Sequence, residues 1–303
     1  MVRSFGAVVL LSTGLGSSLL VAQVPSPAAK AGDCCSAEAM KATAASLGYL
    51  DILGVKLGMT PEQAMAAIKT ADPTLKIDIL NSRMEPGDAP QTFKRVPQYV
   101  VAHTVGGANS FRRPDGSSDE VVMEFSTPPN APIVIKITRE VIFAPGKPVV
   151  VSNLTDSLRK KYGKEVTRQG HMYWLFDPAG KPITAEVTGP QTICLNSSPF
   201  DGMDGMPGPD FTRDSDRGID LSTTMGQSNS ERQPICRNLT IAMAPNLAVL
   251  APTDQKPNLI VTIESPALMY ASRKNTHDML QAQRDAMIKK QQDAASQRSA
   301  PKL

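Results

Sequence analysis

The hydrophobic positions of this chain change their period several times, and each change marks a different element. From Ala7 to Val21 the apolar residues run together without a period, following Arg3 and interrupted by Gly14 and Gly16. A run of about 15 residues has the size of the apolar core of an export signal, whereas a membrane span needs about 20. Cleavage is expected after Ala22, with Ala31 as a second candidate because Ala29-Lys30-Ala31 has the small-x-small pattern. Residues 1–22 therefore read as a signal peptide. Residues 23–49, rich in Ala, Pro, Ser and Gly, read as a flexible leader running into a short alanine-rich helix through Ala45.

A helical period begins after Leu50. Thr60 is the expected N-cap, Pro61 the first helical residue, and Gln63 the reciprocal member of a capping box. Ala64, Met65, Ile68 and Ala71 share one face, and Asp72-Pro73 ends the helix. The period then drops to two. Candidate strands run from Leu75 to Leu80 and from Gln98 to Val105; Val121, Met123 and Phe125 oppose Glu120 and Glu124, and Ile133, Ile135 and Ile137 oppose Lys136 and Thr138. Pro-Gly turns near Pro114 and Pro145 join such strands as antiparallel meanders.

The same order then recurs. A helix at Ser152 to Tyr162 carries Leu154, Leu158 and Tyr162 on one stripe, Lys160 and Lys161 at its negative end, and Gly163 as its cap. Strands follow at Met172 to Phe176, around Leu239, Ile241 and Met243, and around Leu259, Val261 and Ile263. Ser265 and Pro266 open a last helix, apolar at Leu268 and Met269 and polar beyond Asn275. The expected fold is α+β with two lobes, 50–147 and 148–265, each a helix followed by an antiparallel meander, and with a C-terminal helix and tail over 266–303. Between residues 196 and 234 Gly, Asp, Ser, Pro and Met replace the pattern, and a disordered loop is expected.

Removing the signal leaves about 280 residues and lowers the formal charge from +3 by the one unit of Arg3. So small a surplus provides no field for nucleic acid or anionic lipid. Four cysteines suit an oxidising compartment. Three pairings are open in principle, and Cys194 with Cys236 is favoured because each abuts a strand-like segment. For Cys34 and Cys35 a vicinal disulfide, an intermolecular bridge and free thiols all remain open.

Candidate chemistry is sparse. Asp201, Asp204, Asp210, Asp214, Asp216 and Asp220 could supply oxygen ligands for calcium, but Gly218 comes one place early for a calcium loop and Met225 stands where a bidentate Glu belongs. His103, His171 and His277 lie far apart and outside any zinc signature. No nucleophile elbow, Walker loop or dinucleotide fingerprint is present. Tyr173, Trp174 and Phe176 alternate across a strand and read as core. Asn153, Asn196 and Asn238 fit the glycosylation pattern, which at three residues is too short to inform.

Within Val55 to Ile68, the stretch Leu57-Gly58-Met59-Thr60-Pro61-Glu62-Gln63 resembles the G-M-T/S-x-x-x-V/A helix start of small proteins of the barrel-assembly lipoprotein and β-lactamase-inhibitor-like envelope superfamily. That resemblance implies helices packed on an antiparallel sheet and a binding or scaffolding role in a bacterial envelope. The chain departs from the lipoprotein pattern at Cys34, where Gly32-Asp33 stand in place of apolar or small residues. The expectation is a soluble periplasmic or secreted protein with no transmembrane span in its mature chain, no cofactor and no metal. Its role is non-catalytic, with another envelope protein as partner. The alternative is an exported hydrolase with a site at the lobe junction.

Overall fold

The computed structural model of the protein describes residues 35–47, 50–84, 94–106, 112–177, 180–183, 194, 215–219, 236 and 239–296. Among these residues the fold is α+β. The first half of the chain holds helix α1 (Ala37–Ser46), the hairpin β1 (Asp51–Ile52) and β2 (Val55–Lys56), and helix α2 (Pro61–Ala71). Strands β3 (Lys76–Met84), β4 (Lys94–His103), β5 (Ser118–Phe125) and β6 (Val134–Ile142) follow. The second half holds β7 (Val149–Val150), helix α3 (Val151–Tyr162), β8 (Val166–Arg168), β9 (His171–Phe176) and β10 (Ser215–Ile219). It continues with β11 (Thr240–Ala244), β12 (Gln255–Lys256), β13 (Asn258–Glu264) and helix α4 (Pro266–Ser296).

Local signals formed the elements that were expected of them. Thr60 Oγ1 accepts from the Gln63 amide at 3.4 Å and Gln63 Oε1 accepts from the Thr60 amide at 3.0 Å, so the capping box closes at α2. Ser265 Oγ accepts from the Leu268 amide at 3.3 Å and opens α4. In each half the strands after the helix are sheet neighbours in chain order: β3-β4-β5-β6 in the first, β8-β9-β11-β13 in the second.

The halves meet differently from two separate lobes. β6 pairs antiparallel with β13 over seven residue pairs, from Ile142 with Asn258 to Lys136 with Glu264, giving one nine-stranded sheet in the order β10-β3-β4-β5-β6-β13-β11-β9-β8. The last strand of each meander would otherwise present unpaired backbone groups, and pairing the two removes both edges.

The alanine-rich helix expected at the end of the 23–49 leader is present as α1, capped by Ser36, whose hydroxyl accepts from the Ala39 amide at 3.2 Å, and it buries Met40 and Ala44 with Leu47 just beyond; residues 23–34 lie outside the described residues. α1 docks on α4, where Asn275 Nδ2 donates to the Cys35 carbonyl at 2.6 Å. One expectation is corrected in part: within 196–234, expected to be a disordered loop, residues 215–219 form β10, which pairs parallel with β3 at the sheet edge, and the rest of that segment lies outside the described residues. Backbone pairing to an edge needs no apolar alternation, so Ser215-Asp216-Arg217-Gly218-Ile219 carries no strand pattern.

All four helices contribute to one core on one face of the sheet. Ile68 of α2, Leu154 of α3 and Leu268 of α4 pack with Val121, Met123, Ile137, Ile263 and Trp174. Trp174 Nε1 donates to the Gly163 carbonyl at 2.9 Å, which satisfies the indole inside the core. α4 is tied down by Ser272 and Thr276, which bond Thr127, and by Leu280 against Met84 and Val96. Beyond Leu280 its residues become exposed as the polar sequence requires. No helix among the described residues is long and apolar enough to cross a membrane.

Candidate functional site

The seam between β6 and β13 is where both halves contribute side chains to the same recess. Past the strand ends the ladder continues, since the Phe143 amide donates to the Pro257 carbonyl at 2.8 Å. The chain then turns at Ala144-Pro145-Gly146-Lys147, closed by the Lys147 amide on the Ala144 carbonyl at 2.9 Å. This turn overhangs a groove of about 510 Å³. Phe143, Pro145, Pro148 and Pro257 form its apolar walls, and Arg112 and Asn258 bring polar groups to it. Proline fixes φ at three of these four positions, so the walls are stiff before anything binds.

Behind the groove, on the sheet face away from the main core, the register lines up a row of charged side chains. Lys76 stands opposite His103, His103 opposite Glu120, and Glu120 opposite Glu140. Asn258 of the groove donates to Glu140 Oε1 at 3.3 Å, joining the row to the recess. Burial pushes the Glu120 carboxyl up to about 7, and the like charge of Glu140 adds to this while His103 opposes it. His103 is buried, with Nε2 2.8 Å from Asp78 Oδ2 and Nδ1 2.9 Å from the Thr104 carbonyl. Burial works against ionised Asp78, but its hydrogen bonds to His103 and Lys76 hold its carboxyl below the usual range.

A second charged row lies two steps further along the same face, beyond Val122, Thr138 and Thr262. Lys136 is buried between Glu124 of β5 and Glu264 of β13, 3.6 Å from Glu264. Glu124 in turn reaches Arg273 of α4 at 3.8 Å.

Comparison of the chain with protein-family models, with curated proteins and with solved structures finds no match.

The residues singled out from the sequence distribute as follows. Cys194 and Cys236 form a disulfide, both buried against Tyr173, Leu175, Ile241 and Met243 on the sheet face away from the helices. Ala22, Cys34 and five of the six loop aspartates lie outside the described residues, as do Asn196 and Asn238; Asp216 falls on β10. No group of three His, Cys, Asp or Glu among the described residues could hold a metal ion. The histidines stay apart: His103 joins the carboxyl row, His171 Nδ1 accepts from the Asn246 amide at 3.0 Å, and His277 lies on α4. Tyr173, Trp174 and Phe176 are buried, Trp174 and Phe176 in the main core and Tyr173 against the disulfide.

Sequence reasoning missed Arg112, Phe143, Pro148, Pro257 and Asn258. The turn at Pro145-Gly146 was visible, but it reads only as a connection until β6 is known to lie beside β13.

Proposed function

We propose that this is an exported protein of the bacterial periplasm or cell exterior that binds another envelope protein without performing chemistry, using the seam of its two halves. The observation that carries the reading is the groove itself: stiff apolar walls from Phe143, Pro148 and Pro257, with Arg112 and Asn258 to set orientation. The apolar run at Ala7 to Val21 and the Cys194–Cys236 disulfide support export to an oxidising compartment. Helices layered on an antiparallel sheet are what the resemblance at Val55 to Ile68 implies. The hydrolase alternative would draw on Glu120 and Glu140. Neither lines the groove, and Glu140 is engaged by Asn258, so binding is favoured over catalysis.

Two measurements test this. The chain is expressed with its leader in a bacterial host, and the intact mass of the exported form should begin at Gln23. A photo-crosslinking amino acid placed at Phe143 or Pro148 should capture a discrete envelope protein, while the same group at exposed Thr70 of α2 should not. Precursor mass confined to the cytosol defeats the export reading, and equal crosslinking from all three positions defeats the binding reading.

A further inference from the structure

The groove and the carboxyl row meet at one side chain. Asn258 lines the groove, and its Nδ2 donates to Glu140 Oε1. An ionised carboxylate only accepts, so Glu140 fixes which end of the Asn258 amide faces it and thereby which end is turned elsewhere. Whatever moves Glu140 therefore moves a polar group of the groove.

Glu120 is placed to move it. The two glutamates stand directly opposite each other on β5 and β6, and both are half-buried, where water screens their charges poorly. Carboxylates so placed hold one shared proton more readily than they both ionise. Burial and the charge of Glu140 together push the Glu120 carboxyl up to about 7.

The charges on neighbouring elements do not cancel this repulsion. From β4, His103 faces Glu120, but its Nε2 is 2.8 Å from Asp78 Oδ2, and Asp78 is also held by Lys76 of β3 at 3.0 Å. Further along β5 on the same face, Glu124 lies opposite Lys136 and reaches Arg273. Arg139 of β6 is turned to the other face, where its Nε donates to Asp119 Oδ1 at 2.9 Å. From β13 only the neutral Asn258 and Ile260 arrive beside Glu140. Among the described residues neither Glu120 nor Glu140 has a cationic partner.

Geometry sets the direction of the response. Glu140 stands between Glu120 on one side and Asn258 on the other. While Glu120 is protonated its hydroxyl is a donor facing Glu140, and Glu140 keeps its place against Asn258. Once Glu120 ionises, His103 and its partners back it on the β4 side, and the repulsion drives Glu140 toward β13.

We propose that the Glu120 and Glu140 pair is a proton switch for the groove: with one proton shared, Glu140 holds Asn258 in the position that binding uses, and release of that proton to water displaces the Asn258 amide and weakens binding. The proposal rests on the reading of the groove as a binding site and adds its regulation by pH. The coupling is reciprocal, so an occupied groove holds the proton more firmly.

The test follows the full chain, labelled with carbon-13 and nitrogen-15, by NMR from pH 5 to pH 9. The Glu120 side-chain carboxyl, the Asn258 side-chain amide and the Phe143 backbone amide should titrate with one common midpoint. Glu120→Gln should abolish the step at Asn258 and Phe143. Glu140→Gln should lower the Glu120 midpoint by about half a pH unit or more and remove most of the Asn258 step. Photo-crosslinking from Phe143 in envelope extract should fall by about fivefold or more between pH 6 and pH 8.5 in the parent, and stay high at both values in Glu120→Gln. The proposal is overturned if the Asn258 and Phe143 resonances do not titrate, if their step survives in Glu120→Gln and follows the His103 ring instead, or if crosslinking falls equally in parent and variant. Absence of any crosslink at either pH defeats the groove as a binding site, while the common titration still decides whether Glu120 and Glu140 move Asn258, so the two readings fail separately.

Discussion

Glu120 on β5 stands directly opposite Glu140 on β6, and His103 of β4 faces Glu120 from its other side. Directly opposed side chains on one sheet face have Cβ atoms about 5 Å apart, close enough for two carboxylates to repel. The arrangement therefore favours one proton held near Glu120, whose carboxyl burial and Glu140 together push up to about 7.

That relationship has a sign that can be measured. The folded state holds the Glu120 proton more firmly than the unfolded chain does, so its contribution is complete below the ordinary glutamate range. It is lost as pH rises through about 7. Glu120→Gln keeps the uncharged form at every pH. The variant should match the parent near pH 5 and exceed it at pH 8 by on the order of 1–3 kcal/mol, read by urea unfolding at both values. Equal pH slopes for the two proteins would contradict the placement of this carboxyl.

Gly58 is the point at which α1 meets the hairpin. Its φ is +85°, its amide donates to the Val134 carbonyl at 2.8 Å, and a methyl group there would overlap Ala44 Cβ. Gly58→Ala meets both a left-handed backbone and an overpacked contact, and should cost about 2–4 kcal/mol. Adding Ala44→Gly removes the overlap but leaves the backbone strain and weakens α1, so it should recover only part of the loss. Full recovery would show that the packing contact alone matters.

These two positions illustrate how much of the molecule was legible from its residues. The capping box at Thr60 and Gln63 and the alternation at Val121, Met123 and Phe125 are local patterns, and each predicted its element. The helix-then-meander order of each half followed from them. α1 was legible as a short alanine-rich helix, but its docking was not, because that depends on a close approach between Ala44 and Gly58 that no local pattern encodes. The seam was hidden for a stronger reason: Ile142 and Asn258 pair across most of the second half of the fold. The candidate site lies on that non-local pairing, so Phe143, Pro148 and Pro257 read only as turn residues until it is known. The disulfide was legible because each cysteine flanked strand-like sequence.

Cys194 and Cys236 are 42 residues apart in sequence, and their crosslink restricts the unfolded chain. A loop of that length corresponds to about 4 kcal/mol of stabilisation on the chain-entropy account. Cys194→Ala with Cys236→Ala, or reduction of the parent, should lower unfolding stability by up to this amount, and non-reducing peptide maps should show the 194–236 crosslink in the parent alone. An unchanged urea midpoint in reductant would contradict the assignment of a stabilising bridge.

Lys136 offers the sharpest separation of an interaction from the burial that surrounds it. Its side chain is only 8% exposed and that of Glu264 only 11%, and the two lie 3.6 Å apart across the seam. Lys136→Met removes the cation but leaves Glu264 buried, which costs about 3–5 kcal/mol when a buried pair is broken from one side. Glu264→Leu leaves the lysine in the same position, except that Glu124 stands opposite it on β5 and can take over part of the pairing. The lysine variant should therefore be the more damaging of the two. The double variant replaces both charges with apolar groups of similar length, and such replacements are often neutral or stabilising. It should be markedly more stable than Lys136→Met, with a coupling energy above about 1 kcal/mol in a double-mutant cycle followed by urea unfolding. Additive losses would mean that the two side chains do not share a buried pair, and would leave the seam held by backbone pairing and its apolar face alone.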